Sequence, residues 1–325
     1  MDYDQRYNAY KKVIDERLKQ ALIEEKPVGL YEPIRYILFA GGKRIRPIIL
    51  LLSCESLGGD YKDAINAALA VEIFHNFTLV HDDIMDNADL RRGLLTIHKR
   101  WGINTAILSG DAMFAIAYKF LSSIKSARID EIFNSFTQAA IEVCEGQALD
   151  LELETSFDVS IDDYIKMISK KTASLIKNSA RIGALIANGS NEQILALENY
   201  GLNLGLAFQF MDDLLDVVAS SDEFGKSIGG DIVNGKRTFL LLTAMGKVKG
   251  KDREIIEKVF VKKNLDPSIV HEVKEIYIRY GIVDEAQEMV RFYTNLAINS
   301  LEPIPESDSR SMLIWLANKL CERKI

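Results

Sequence analysis

The chain has 325 residues, 48% of them hydrophobic, and carries 40 Lys and Arg against 47 Asp and Glu, for a formal net charge of −7. That much apolar sequence can bury a substantial core, which excludes a disordered chain, and the acidic balance excludes nucleic acid as the main partner, because phosphate backbones are bound by basic surfaces. Three cysteines, Cys54, Cys144 and Cys321, form no CxxC pair, so neither a zinc site nor a disulfide framework is expected, and the reducing cytoplasm is the expected compartment. The first residues, MDYDQRYNAYKK, hold no apolar signal core, and no stretch approaches the roughly 20 apolar residues of a membrane span. A soluble protein with no transmembrane segment is expected.

In chain order, the first punctuation is Gly41-Gly42-Lys43-Arg44-Ile45-Arg46-Pro47, a glycine-opened turn carrying three cations before a helix that Pro47 can start. No proline occurs between Pro47 and Pro267, which predicts an uninterrupted series of helices. Ser160 is the expected N-cap of a helix whose first turn holds Asp162 and Asp163 and whose apolar face carries Ile161, Tyr164, Ile165, Ile168, Leu175 and Ile176. Ile194, Leu197, Gly201, Leu204, Phe208, Met211 and Leu215 step by three and four, predicting one long core helix. Glycines at 41–42, 58–59, 189, 229–230, 246 and 250 mark the expected helix ends. No linker or composition shift divides the chain. The expectation is one all-α domain over residues 1–325, with about ten or more helices of ordinary length.

Two acidic clusters lie inside apolar helical sequence: His81-Asp82-Asp83-Ile84-Met85-Asp86 and Met211-Asp212-Asp213-Leu214-Leu215-Asp216. Each reads DDxxD, so its carboxylates project from one helical face a turn apart, where they repel one another until a cation sits between them. A lone DDxxD more often marks a solvated helix face. Two copies flanked by large apolar residues point instead to a hard divalent ion, Mg²⁺ above all, bound by one or two carboxylates and completed by substrate phosphates. Basic residues supply the complement: Lys43, Arg44 and Arg46 in the glycine turn, Arg91-Arg92 just past Asp86, Lys170-Lys171-Thr172, and Lys226, Lys236 and Arg237 around Asp231 in GKSIGGDIVNGKRT. Each alone reads as an exposed charged segment, and the last is no Walker loop. Four histidines, none in HExxH spacing, and no GxSxG leave metal-assisted departure of a diphosphate better supported than acid–base or nucleophilic catalysis by a side chain. His75, two turns before Asp82, reads from spacing alone as a core histidine.

GGKRIRP, HDDIMDNADLRRG, KKTASL, FQFMDDLLD and GKSIGGDIVNGKRT, in this order, closely resemble the trans-isoprenyl diphosphate synthases of the polyprenyl synthetase family, particularly archaeal short-chain members. The resemblance spans about Gly41 to Thr238. It implies an all-α isoprenoid synthase fold around a central apolar cavity, usually in a homodimer. It also implies head-to-tail condensation of an allylic diphosphate with isopentenyl diphosphate, using several Mg²⁺ ions. Carried onto this chain, Asp82, Asp86 and Asp212 would hold metal, with Asp83, Asp213 and Asp216 in support. Arg91, Lys171, Lys226 and Lys236 would hold the allylic diphosphate, and Thr172 and Gln209 would line the reacting end. Lys43, Arg46, His75 and Arg92 match the isopentenyl diphosphate positions, which gives His75 a role beyond core packing.

Ser227 stands where proline is common in the family, and Arg237 follows Lys236 where other residues also occur; neither removes a needed charge. The residues before the first motif imply the product length. Bulk at Thr78, Phe77 or Phe74 would stop the growing tail. At about 100° per residue, Phe74 and Thr78 lie near the face of Asp82 and Phe77 lies farther round. Small Thr78 and the single aromatic Phe77 resemble archaeal-type C20 synthases, so geranylgeranyl diphosphate is the expected product, with farnesyl diphosphate second because Phe74 adds bulk. A terpene cyclase would ionise a similar substrate but has no reason for Lys43, Arg46 and Arg92. A non-catalytic prenyl-binding protein would not need six aligned aspartates.

Overall fold

The structure is a computed structural model in which residues 2–22, 26–218, 229–262 and 265–321 are described. In chain order the helices are α1 (Tyr3–Ala21), α2 (Val28–Phe39), α3 (Ile45–Ser56), α4 (Tyr61–Met85), α5 (Ile97–Trp101), α6 (Ile103–Leu121), α7 (Ile129–Thr155), α8 (Ile161–Ile168), α9 (Ser174–Ile186), α10 (Asn191–Val218), α11 (Gly230–Val233), α12 (Phe239–Lys247), α13 (Gly250–Val261), α14 (Ile269–Arg279), α15 (Ile282–Asn299) and α16 (Asp308–Cys321). Two features depart from the helix-only expectation. A hairpin of two-residue strands, β1 (Leu90–Arg91) and β2 (Leu94–Leu95), follows the first acidic cluster, and a π-helical turn at Ser169–Ala173 separates α8 from α9. Among the described residues, no helix is long and apolar enough to cross a membrane.

The chain forms two compact units. One comprises Met1–Thr137, Asn178–Glu198 and Pro303–Trp315, and the other Gln138–Lys177, Asn199–Glu302 and Leu316–Ile325.

In the first unit α3 and α4 carry the core. Every residue of α3 from Pro47 to Cys54 is buried, the pattern of a helix covered on all sides. The α4 helix starts at Asp60, whose side chain accepts from the Lys62 amide at 2.9 Å, and its run Ala67–Phe74 is buried throughout. Small residues on α4 let it pack closely against α3 and α6. Gly183 of α9 serves the same end, since a Cβ there would stand 2.9 Å from the Ser53 Cβ.

The second unit is centred on an aromatic stack. The Phe210 ring lies 5.6 Å from Tyr164, 5.2 Å from Phe239 and 5.6 Å, stacked, from Tyr293. Around it pack the apolar faces of α12 to α15, and each fully buried ring or aliphatic side chain contributes about 1.5–3 kcal/mol. Ser160 caps α8 as the sequence predicts, in a capping box with Asp163. The predicted long core helix is α10. Gly246 falls inside the last turn of α12 rather than at its end.

Candidate active site

In the first unit, the last turn of α4 presents the first acidic cluster, with Asp86 exposed and Asp82 half-buried. Asp83 turns inward, only 2% exposed, and its Oδ1 accepts from Arg91 Nε at 2.8 Å and from Arg91 Nη2. Burial pushes the Asp83 carboxyl upward, and Arg91 opposes the shift. The hairpin carries Arg91 into this contact on its first strand. Arg92 (φ 54°) and Gly93 (φ 75°) form its two-residue turn with both residues left-handed, as a primed hairpin turn requires. The turn throws the Arg92 guanidinium back onto the Gly41 carbonyl and to 3.5 Å from the Asn76 side-chain oxygen.

Arg92 thereby meets the glycine turn. Gly41, Gly42 and Arg44 all have positive φ, and a Cβ on Gly42 would stand 3.1 Å from the Arg92 guanidinium, so the close approach needs glycine there. Arg46 Nη1 lies 3.2 Å from His75 Nε2, while the buried Arg46 Nε has no partner among the described residues. Burial, reinforced by Arg92 and opposed by Glu72, pushes Arg46 down to about 10. The His75 imidazole is driven well below its usual value by burial and then by Arg46, Arg92, Arg44 and Arg91, so it is neutral at pH 7. Arg44 is a different kind of residue: 3% exposed, it pairs with Asp15 at 2.8 Å and Glu72 at 2.5 Å and donates to the Leu38 carbonyl at 2.7 Å. No carboxylate among the described residues pairs with Arg46 or Arg92, so this corner carries surplus positive charge, as an anion site requires.

The residues expected to set product length lie beside it. Phe74 is fully buried, with ring centroids of Phe77, Phe114 and Phe136 at 5.4, 5.9 and 5.4 Å. Phe77 is half-buried between Phe114 at 5.5 Å and His81 at 4.7 Å. Thr78 spends its hydroxyl on the His75 carbonyl at 2.8 Å. Phe114 and Phe136 come from α6 and α7, and nothing in the sequence links them to Phe74.

In the second unit, Asp213 repeats the pattern of Asp83. It is buried and accepts from the Tyr164 hydroxyl at 2.7 Å and from Gln209 Nε2 at 2.7 Å. Burial first, and then the charge of Asp231, raise its carboxyl well above the ordinary range. Asp216 accepts from the Asp231 amide at 2.9 Å, which fixes the start of α11 against the end of α10. Asp212 is half-buried. Thr172 donates to Gln209 Oε1 at 2.8 Å, Lys171 pairs with Asp150, and Lys236 lies 3.7 Å from Asp231. The field of Asp231 raises the Lys236 ammonium against the effect of burial, with Asp213, Asp150 and Asp212 adding to it.

These groups line one small cleft that includes Lys171, Thr172, Gln209, Asp213 and Lys236. Lys171 and Thr172 reach it from the π-helical turn, a feature often found at functional sites and invisible to periodicity. Arg237 lines the same cleft but is a packed cation rather than a presented one. It is 5% exposed, lies over the Phe260 ring at 3.7 Å and donates to the Gly235 carbonyl at 2.8 Å. Lys226 and Ser227 lie outside the described residues. Sequence reasoning missed Tyr164, Asp150 and Asn76, whose only signal is a polar atom within otherwise apolar helical faces.

The donor set suits Mg²⁺. Each cluster offers hard carboxylate oxygens a helical turn apart, and among the described residues no three His, Cys, Asp or Glu side chains converge on one point. An ion held here takes one or two protein carboxylates and fills its octahedron with water and substrate oxygens, as Mg²⁺ does.

The polyprenyl synthetase family model matches residues 27–277. A short chain isoprenyl diphosphate synthase from Methanothermobacter thermautotrophicus is 39% identical over 316 residues, covering 97% of each chain. A geranylgeranyl pyrophosphate synthase from Geoglobus acetivorans is 41% identical over 315 residues, covering 96% of each. Among solved structures, geranylgeranyl pyrophosphate synthetase from Pyrococcus horikoshii aligns with a TM-score of 0.93 at 38% identity, covering 100% of both chains. With both aspartate clusters and the arginine corner in place within the matched segment, the chain belongs to the polyprenyl synthetase family and has its all-α isoprenoid synthase fold.

Proposed function

We propose that this prenyltransferase is a short-chain isoprenyl diphosphate synthase that condenses isopentenyl diphosphate with allylic diphosphates and releases geranylgeranyl diphosphate. The observation that carries the reading is the pairing of two chemistries in one chain: aspartate clusters suited to a metal-bound diphosphate, and a separate arginine corner around Arg46, His75 and Arg92 suited to a second one. A cyclase has no use for the second.

Magnesium ions, when bound at Asp82, Asp86 and Asp212, supply the positive charge that stabilises a departing diphosphate. In the second unit Lys171 and Lys236 would hold the allylic diphosphate, as would Lys226, which lies outside the described residues; in the first unit Arg91, bonded to Asp83 through Nε and Nη2, carries the same assignment. Lys43, Arg46 and Arg92 hold isopentenyl diphosphate, and neutral His75 donates or accepts a hydrogen bond there without adding charge. The allylic C–O bond breaks, the isopentenyl double bond attacks the resulting cation, and the proton lost from the new C–C unit passes to the released diphosphate. Thr172 and Gln209, bonded to each other, flank the reacting carbon. The aromatic wall of Phe74, Phe77 and Phe114 excludes water, which would otherwise capture the cation as an alcohol.

The working form is a homodimer in the cytoplasm. Exposed Ile103, Ile107 and Leu108 on α6 support the dimer as apolar surface that a second copy would cover, and sedimentation at twice 36.6 kDa is the expected result. The activity is tested by incubating the purified chain with Mg²⁺, isopentenyl diphosphate and allylic primers, then separating the dephosphorylated products. A C20 alcohol is expected. A C15 alcohol would make it a farnesyl diphosphate synthase, a cyclised hydrocarbon a cyclase, and absence of turnover a prenyl-binding protein.

A further inference from the structure

The turn that carries Lys43 has little structure of its own. Gly41, Gly42 and Arg44 are left-handed, and α3 begins only at Ile45. Lys43 is exposed, so its backbone must be held from outside if its ammonium is to meet an anion at a fixed point. Two residues of α1 supply that hold. The Tyr7 hydroxyl donates to the Lys43 carbonyl, and Asp15, two turns along the same helix, pairs with Arg44 Nε at 2.8 Å. Lys43 is thus pinned at its own carbonyl and, through the buried Arg44 side chain, at the next residue.

The α1 helix is itself braced. Arg6 bonds Tyr10, Glu55 and Ser309, Tyr10 donates to Glu55, and Trp315 packs on the Tyr3 and Tyr7 rings at 5.9 and 6.1 Å. All of this helix lies upstream of the segment that matches the family model, so the family motifs assign it no part in substrate binding.

We propose that Tyr7 and Asp15 are positioning residues that hold the Gly41–Arg46 turn in its anion-binding form, so that α1 sets the affinity for isopentenyl diphosphate. The inference rests on the assignment of Lys43, Arg46 and Arg92 to that substrate. Neither residue touches the substrate; both act through the backbone that carries Lys43.

The test compares Tyr7→Phe and Asp15→Asn with Tyr10→Phe, which loosens the same helix at Glu55, away from the turn. Steady-state kinetics are run with each substrate varied in turn, and calorimetric titration of isopentenyl diphosphate alone gives Kd without turnover. Tyr7→Phe and Asp15→Asn should each raise KM and Kd for isopentenyl diphosphate about threefold to tenfold, with kcat and the allylic KM within about twofold of the parent. Tyr10→Phe should lower the melting temperature and leave Kd unchanged. Unchanged Kd in both turn variants overturns the proposal, as does an equal rise in Tyr10→Phe. A parent chain that binds isopentenyl diphosphate but elongates nothing refutes the synthase reading, while the Kd ratios still decide the role of α1. A parent chain that binds none refutes both.

Discussion

The two aspartate clusters divide their labour in the same way. The middle residue of each, Asp83 or Asp213, is buried and spent on protein donors, Arg91 in one case and Tyr164 with Gln209 in the other, while Asp82, Asp86 and Asp212 lie nearer solvent. Removing a presented carboxylate should therefore cost more than neutralising a middle one. Asp82→Ala and Asp212→Ala should lower kcat about 10²–10³-fold or more at saturating Mg²⁺, with the far-ultraviolet circular dichroism of the parent. Asp83→Asn and Asp213→Asn should cost about 10–100-fold, as loss of a group that orients a ligand does. Near-parental kcat in Asp82→Ala or Asp212→Ala would refute the metal assignment.

A residue outside the proposed chemistry offers a stability test at the same scale. Glu142 is held below the ordinary carboxylate range: burial pushes it upward, but the Ser174 hydroxyl, the Lys177 ammonium at 2.9 Å and the Gln138 amide outweigh burial. A carboxyl depressed on folding contributes stability that is present above its unfolded pKa and lost as pH falls through its folded value. Glu142→Gln should thus cost about 1–2 kcal/mol at pH 7, and the gap to the parent should narrow as pH falls below the ordinary glutamate value of about 4.3. A constant gap across that range in thermal melts would show that the charge of Glu142 plays no part.

At the scale of elements, the π-helical turn is wedged between two glycines. A Cβ on Gly146 of α7 would stand 2.5 Å from the Lys171 Cα, and one on Gly205 of α10 would stand 2.5 Å from the Ala173 Cα. Both contacts are to backbone atoms that cannot rotate away, so Gly146→Ala should destabilise the fold by about 1–3 kcal/mol and displace Lys171 and Thr172. The expected signature is a lower melting temperature with a fall in kcat larger than the change in the isopentenyl diphosphate KM. If the proposed function holds, the aromatic group on α4, α6 and α7 should govern product length by the same logic of contact. Phe77→Ser, alone or with Phe74→Ala, should open the wall and lengthen the product beyond that of the parent; identical chain lengths by chromatography would put the floor of the cavity elsewhere. Because Phe74 is fully buried, the double variant should also be the less stable of the two, by about 3–5 kcal/mol relative to the parent.

For the whole molecule, the sequence by itself determined the helical class, because the long interval without proline and the three-and-four spacing of apolar residues are properties of local geometry. It also determined which residues are candidates for metal and phosphate, since DDxxD stacks carboxylates on one helical face whatever the surroundings. Tertiary structure decided how those charges are used. Arg44 and Arg46 are two residues apart and look alike in the sequence, yet one is locked between Asp15 and Glu72 and the other keeps a buried nitrogen without a partner among the described residues. Lys236 and Arg237 divide similarly, into an ion pair with Asp231 and a packed contact over Phe260. The hairpin at Arg92-Gly93, the π-helical turn at Lys171 and the brace from α1 were likewise hidden. Each depends on a partner far away in the chain, and the energy of a buried charge or a close backbone approach is set by that partner rather than by sequence neighbours.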